Sequence, residues 1–192
     1  MRARYIREQK ERYGRKTIAV LPIHYPKEIL TAMNVLAVEV WGPPGPPRGP
    51  DAGRIQSYVC ALVRNALAFL AGGGADVVDA VLFPDTCDSI QGLASLLADM
   101  GGWDKPILHY VHPRGRENEN ALKFIALELE RLAAGLEGLT GNTLNTHNLS
   151  HAIRLHRDIH ELRRRLLVKR AHVPMDDTAL YRLLRRGEFL WP

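Results

Sequence analysis

Two cysteines, Cys60 and Cys87, are the residues of widest chemical reach in this 192-residue chain. A thiolate is both a nucleophile and a soft metal ligand, and two thiols are too few for a disulfide framework. Cys87 closes Phe83-Pro-Asp-Thr-Cys87, between an apolar run and a helical pattern. Helix N-terminal N–H groups at such a junction favour an anion, so this thiol is placed to act as nucleophile or ligand. Asp85 and Thr86, just ahead of that helix, also suit helix capping. Cys60 ends Ile55-Gln-Ser-Tyr-Val-Cys60 near the start of another helical pattern, where a free cysteine equally serves as a small buried apolar residue.

The histidines offer less. His147 and His151 share a helix face, as do His156 and His160, but nine residues between the pairs turn them to opposite sides of one helix. Two imidazoles without a nearby carboxylate or thiol make a poor zinc site, so these are read as structural or solvated. His109 and His112 stand at the end of an apolar run and can face a site there, or simply supply polarity at a strand end.

The elements that must position these groups alternate. Thr17–Pro22, Val35–Trp41, Val77–Phe83 and Lys105–Val111 are short, β-branched or apolar runs that read as buried strands. Helices are expected over Pro26–Met33, with proline in the first turn, over Arg54–Leu70 ending at Gly72-Gly-Gly74, over Ile90–Met100, and over Glu117–Leu136 with its acidic residues early. Gly42-Pro-Pro-Gly-Pro-Pro-Arg-Gly-Pro50 can hold neither helix nor strand and is expected as a loop on the surface or over a site. Strand–helix alternation predicts an α/β fold with an open, doubly wound, mainly parallel four-stranded sheet of the Rossmann or flavodoxin kind. Beyond Gly141 only helix is legible, over Asn148–Ala171 and Asp176–Arg186, so residues 1–140 are expected as the α/β domain and 141–192 as a helical extension. There is no internal repeat.

In a sheet of this kind ligands bind outside the carboxyl ends of the strands. Pro22–Glu28, the proline-rich segment and Pro84–Cys87 all follow strands, so the two cysteines are expected at one rim.

Composition narrows the classes. With 46% hydrophobic and 24% charged residues the chain is neither disordered nor collagen-like, and its length suits one compact domain with an appendage. No run of eighteen apolar residues and no apolar stretch behind the charged N-terminus exist, so neither a membrane span nor a signal peptide is expected, and the cytoplasm is the expected compartment. The net charge of +5 is concentrated in residues 1–16 and 151–171, each with seven basic against two acidic residues. A basic helix over Arg154–Arg170 can meet phosphate, an acidic partner or only solvent, but no nucleic-acid motif accompanies it, and nucleic acid is not expected as a partner.

Pro22-Ile-His-Tyr-Pro-Lys-Glu-Ile29, Ile55-Gln-Ser-Tyr-Val-Cys60 and Val81-Leu-Phe-Pro-Asp-Thr-Cys-Asp88, in that order, resemble the superfamily of 2-hydroxyacyl-CoA dehydratase D-components and benzoyl-CoA reductase subunits. Glu128-Leu-Glu-Arg-Leu132, Leu149-Ser-His-Ala-Ile153 and Leu180–Leu190 are similar to its central helices, and the resemblance covers the family's N-terminal half. It implies a low-potential [4Fe–4S] cluster held by three cysteines, an acyl-CoA substrate, a related second subunit or a homo-oligomer, and an ATP-dependent iron–sulfur activator protein. An electron delivered to the thioester forms a ketyl radical, which eliminates a 2-hydroxyl or leads to reduction of an aromatic ring. By position Cys60 and Cys87 match two cluster ligands. Glu28 matches an acidic residue suited to proton transfer, though a glutamate there also satisfies a helix dipole. Gln56, Ser57 and Asp88 flank the cysteines and are placed to hydrogen-bond substrate or cluster. The third ligand ordinarily comes from a second lobe, and this sequence has no further cysteine. Either the chain is a fragment, or it is naturally short and completed by a partner or cluster-free. In the last case it is a non-catalytic interaction module.

Overall fold

The computed structural model describes residues 2–42, 55–99 and 102–192. Beyond Gly42, the expected proline-rich loop lies outside the described residues, as do Arg54 and Met100 at the ends of two expected helices.

Four strands, β1 (Lys16–Val20), β2 (Val35–Glu39), β3 (Ala80–Asp85) and β4 (Ile107–Val111), form one parallel sheet in the order β2-β1-β3-β4. Parallel neighbours require crossovers, and α2 (Lys27–Ala32), α3 (Ala61–Ala71) and the pair α4 (Asp88–Gln91) and α5 (Leu93–Asp99) lie within them. Alternate side chains of the inner strands point to opposite faces. Ala19, Leu21, Val81 and Phe83 pack under α3 and α5, while Ile18, Val20, Ala80 and Leu82 pack under α2 and α6 (Glu119–Thr140). Burial on both faces is why these strands read as continuous apolar runs. The expected doubly wound α/β fold is therefore present.

Several boundaries differ from expectation, each for a local reason. Val77 and Val78 belong to a turn closed by the Val78 N–H on the Ala75 carbonyl (3.1 Å), so β3 begins at Ala80. It continues through Pro84 because its pairing with β1 ends at Leu82, which leaves the proline's missing N–H without a ladder partner on that side. The expected helix over Arg54–Leu70 starts only at Ala61: the Val59 N–H bonds to the Gln56 carbonyl in a turn, and Cys60 is extended (ψ 147°) as the N-cap. The helix expected over Ile90–Met100 is two pieces separated at Gly92, the C-cap of α4.

The helices after Gly141 pack back on the sheet layer. Gly141, in the left-handed region (φ 71°), closes α6 with its N–H on the Glu137 carbonyl. α7 (Thr146–Val168) lies against α2, with Ala152 buried, and α8 (Asp177–Arg186) follows. The N-terminal helix α1 (Arg2–Tyr13) was not expected. Only Ile6 and Gln9 are buried in it, too few to show a helical period among its charges. Ile6 joins Leu36, Val38 and Phe189 in a small core, and the Glu39 N–H bonds to the Glu188 carbonyl (2.9 Å), which closes part of the open edge of β2.

Candidate active site

All four strands deliver their following segments to the same, carboxyl edge of the sheet. Cys60 is the N-cap of α3 and Cys87 the N-cap of α4, and both thiols are exposed. Because α3 and the α4–α5 pair pack into one core under one face of the sheet, both cysteines stand on that face at the carboxyl edge. Gln56 and Ser57, also exposed, lie in the turn just before Cys60. Asp88, nine-tenths exposed, follows Cys87, and its Oδ1 accepts from Arg114 Nη1 at 3.3 Å.

Glu28 reaches the same edge from the other face. It sits half-buried in the first turn of α2, whose Ile29 and Leu30 pack into the opposite core. Two groups feel its charge. Burial, then the Glu128 carboxylate, then Glu28 push the Tyr110 phenol above its ordinary range, which keeps it an O–H donor. Burial holds the His156 imidazole below its usual value against an opposing pull from Glu28.

The loop between β1 and α2 carries an uncommon backbone. Ile23 (φ 83°) and His24 (φ 52°) both lie in the left-handed region, and for a β-branched residue that conformation is strained. Next to them the buried Tyr25 donates its O–H to Glu39 Oε1 (3.0 Å), which also accepts from Lys27 Nζ at 2.9 Å. Burial first, and then the Glu39 charge, keep that phenol protonated far above its ordinary range. The end of β4 is anchored in a similar way: Glu128 Oε2 accepts from the Val111 N–H (2.9 Å) and from Arg131 Nη2 (2.7 Å). Burial opposes the Glu128 charge, but these bonds outweigh it and hold the carboxyl below its usual value.

Arg114, in the loop after β4, is not among the site residues expected from the sequence, although it touches both acids flanking Cys87. Its pairing spans 26 positions, and the sequence signal is only a cation in Pro113-Arg-Gly-Arg116. His112 lies in the same loop, with its ring 5.7 Å from that of His24. Of the helical histidines, His156 is engaged with Thr31, while His147, His151 and His160 are exposed.

As thiolates, Cys60 and Cys87 have the chemistry and exposure to serve an iron–sulfur cluster. Among the described residues no group of three or more His, Cys, Asp or Glu side chains is placed to hold a metal ion. Also among these residues, no helix is long and apolar enough to cross a membrane.

The family described as 2-hydroxyglutaryl-CoA dehydratase, D-component, matches residues 22–189. The chain is 22% identical to the beta subunit of the lactoyl-CoA dehydratase of Anaerotignum propionicum, over 95% of this chain and 48% of that protein. It is 26% identical to a subunit of the benzoyl-CoA reductase of Thauera aromatica, over 91% of this chain and 46% of that protein. With the beta subunit of the (R)-2-hydroxyglutaryl-CoA dehydratase of Acidaminococcus fermentans the identity is 23%, over 79% and 40% respectively. The chain thus spans about half the length of these relatives.

Proposed function

Because the chain belongs to the 2-hydroxyglutaryl-CoA dehydratase D-component family, we propose that it is the N-terminal part of an iron–sulfur subunit of a radical acyl-CoA enzyme, of the (R)-2-hydroxyacyl-CoA dehydratase type. The observation that carries this reading is the pair of exposed thiols at one edge and on one face of the sheet. Cys60 and Cys87 would hold two irons of a [4Fe–4S] cluster, with the remaining ligation supplied by a second lobe or a partner subunit. When bound, such a cluster would supply the single low-potential electron that activates the CoA thioester for departure of its 2-hydroxyl as hydroxide, which becomes water on taking up a proton.

The roles of the chain's own residues follow from position. Glu28 accepts or returns a proton at the substrate, from a half-buried site that faces the same edge. Gln56 and Ser57, exposed beside Cys60, donate hydrogen bonds to substrate or cluster, and Asp88 accepts them beside Cys87. Residues 1–140 form the cluster-binding domain and 141–192 lead towards the second lobe. The partners are a related subunit and an ATP-dependent iron–sulfur activator, and the compartment is the cytoplasm, where thiols stay reduced.

A benzoyl-CoA reductase-type subunit is the second reading, favoured by the 26% identity to the Thauera protein. Both readings require the cluster. Iron, acid-labile sulfide and EPR, measured without oxygen on this chain with its partner subunit co-expressed, are expected to give cluster signal that a Cys60→Ser, Cys87→Ser double variant lacks. Metal-free protein from both preparations would overturn the reading in favour of a cluster-free interaction module. Turnover of 2-hydroxyacyl-CoA against benzoyl-CoA then separates dehydratase from reductase.

A further inference from the structure

We infer that Arg114 is a positioning residue for Cys87: it ties the turn that carries this thiol to the loop after β4 and offsets one of the two carboxylate charges beside it. Arg114 Nη1 lies 3.3 Å from Asp88 Oδ1, and Nη2 lies 3.8 Å from Asp85 Oδ1. Asp85 stands two residues before Cys87 and Asp88 one after, so a single guanidinium brackets the cysteine from both sides. Its fork of donors suits two carboxylates at once, which a lysine's point charge does not. The loop is shaped for this reach. Gly115 adopts φ 116°, a conformation that side chains rarely take, and Asp85 is in register with Val111, three residues before Arg114.

The energetics decide what the clamp does. Arg114 is about half exposed and Asp88 nine-tenths exposed, and ion pairs of that kind add little to global stability. Their local effect is larger. Without Arg114, two uncompensated carboxylates would flank Cys87 and repel any anionic reactant that approaches its sulfur. In the proposed function, on which the usefulness of the clamp rests, both the CoA thioester and a thiolate-ligated cluster are anionic.

The test is the alkylation of Cys87 by anionic iodoacetate and by neutral iodoacetamide, with Cys60 in the same chain as the internal reference and modification read by peptide mass. The ratio of the two rates cancels differences in thiolate content and reports the local charge. Arg114→Ala is expected to lower this ratio at Cys87 about threefold at low salt, as one uncompensated charge within a Debye length does, and to lower it less at Cys60, which the ion pair does not bracket. Arg114→Lys, which keeps the cation without the fork, is expected to restore the ratio in part, and molar salt to erase the difference. An unchanged ratio at Cys87, or an equal change at Cys60, overturns the inference. Should Arg114→Ala fail to fold, Asp85→Asn with Asp88→Asn in the otherwise native chain must raise the ratio at Cys87, and no rise overturns it equally. A ratio shift in a protein that never binds iron would leave the clamp standing and remove the ligand reading.

Discussion

His156 Nε2 lies 2.8 Å from Thr31 Oγ1, a hydrogen bond across 125 positions that fastens α7 to α2. Thr31→Val is expected to cost about 1 kcal/mol, the usual net worth of a partly buried hydrogen bond. A pH dependence follows. Burial holds the folded imidazole below the ordinary value of 6.5, so the unfolded chain binds this proton more readily. The contribution is full above pH 6.5 and is lost as pH falls from there through the lower folded value. Urea melts of the parent and a His156→Gln variant at pH 7.5 and pH 5 check the sign: the parent loses more stability on acidification than the variant does.

Glu39 is 7% exposed and accepts from both Tyr25 and Lys27. Glu39→Ala leaves a partly buried ammonium and a buried phenol without their acceptor and is expected to cost about 3 kcal/mol. Glu39→Gln should cost less, since the amide oxygen still accepts. Equal losses for the two variants in chemical denaturation would show that the carboxylate geometry itself is required.

Ile6 tests the N-terminal helix. It is 3% exposed against Leu36, Val38 and Phe189, so Ile6→Ala is expected to destabilise by about 2–4 kcal/mol. A change within about 0.5 kcal/mol, the range of an ordinary surface substitution, would mean that α1 does not pack there in solution.

Both thiols are exposed. An aromatic disulfide reagent added to native protein in the absence of iron is therefore expected to titrate two thiols per chain without denaturant. A thiol that reacts only after unfolding would contradict its placement at the edge.

Ile23 is exposed and strained at φ 83°. Ile23→Gly relieves that strain without emptying any core and is expected to raise stability by about 1 kcal/mol. The loop's backbone is then no longer held in one shape. Loss of stability in a urea melt would show that the side chain contributes contacts of its own.

The sheet is more legible in the sequence than its margins are. Ile18, Val20, Val81 and Leu82 are buried in strands covered on both faces, so their runs are apolar without interruption and read directly. The end of β3 is hidden, because Pro84 breaks a strand only where a neighbour needs its N–H, and which neighbours remain is a tertiary fact. Cys60 was expected inside a helix and is its N-cap, since the turn at Gln56–Val59 is set by one backbone bond that no side-chain pattern announces. The cysteines were legible through their surrounding motifs. Arg114 was not, because an ion pair between loops after different strands leaves no periodicity.

The Tyr5 hydroxyl accepts from the Trp191 N–H, across 186 positions. Closing so long a loop is slow compared with forming the local helices and the β1–α2–β2 crossover. During synthesis α1 emerges well before the residues it packs against, and its seat is complete only when Phe189 and Trp191 have been made. Until then Ile6 and the open edge of β2 stay uncovered, and that interval is when a nascent chain is most exposed to mispairing with its neighbours. Chaperone binding or aggregation of a ribosome-bound chain stalled before residue 189 should therefore exceed that of a chain long enough for Phe189 and Trp191 to have left the ribosome.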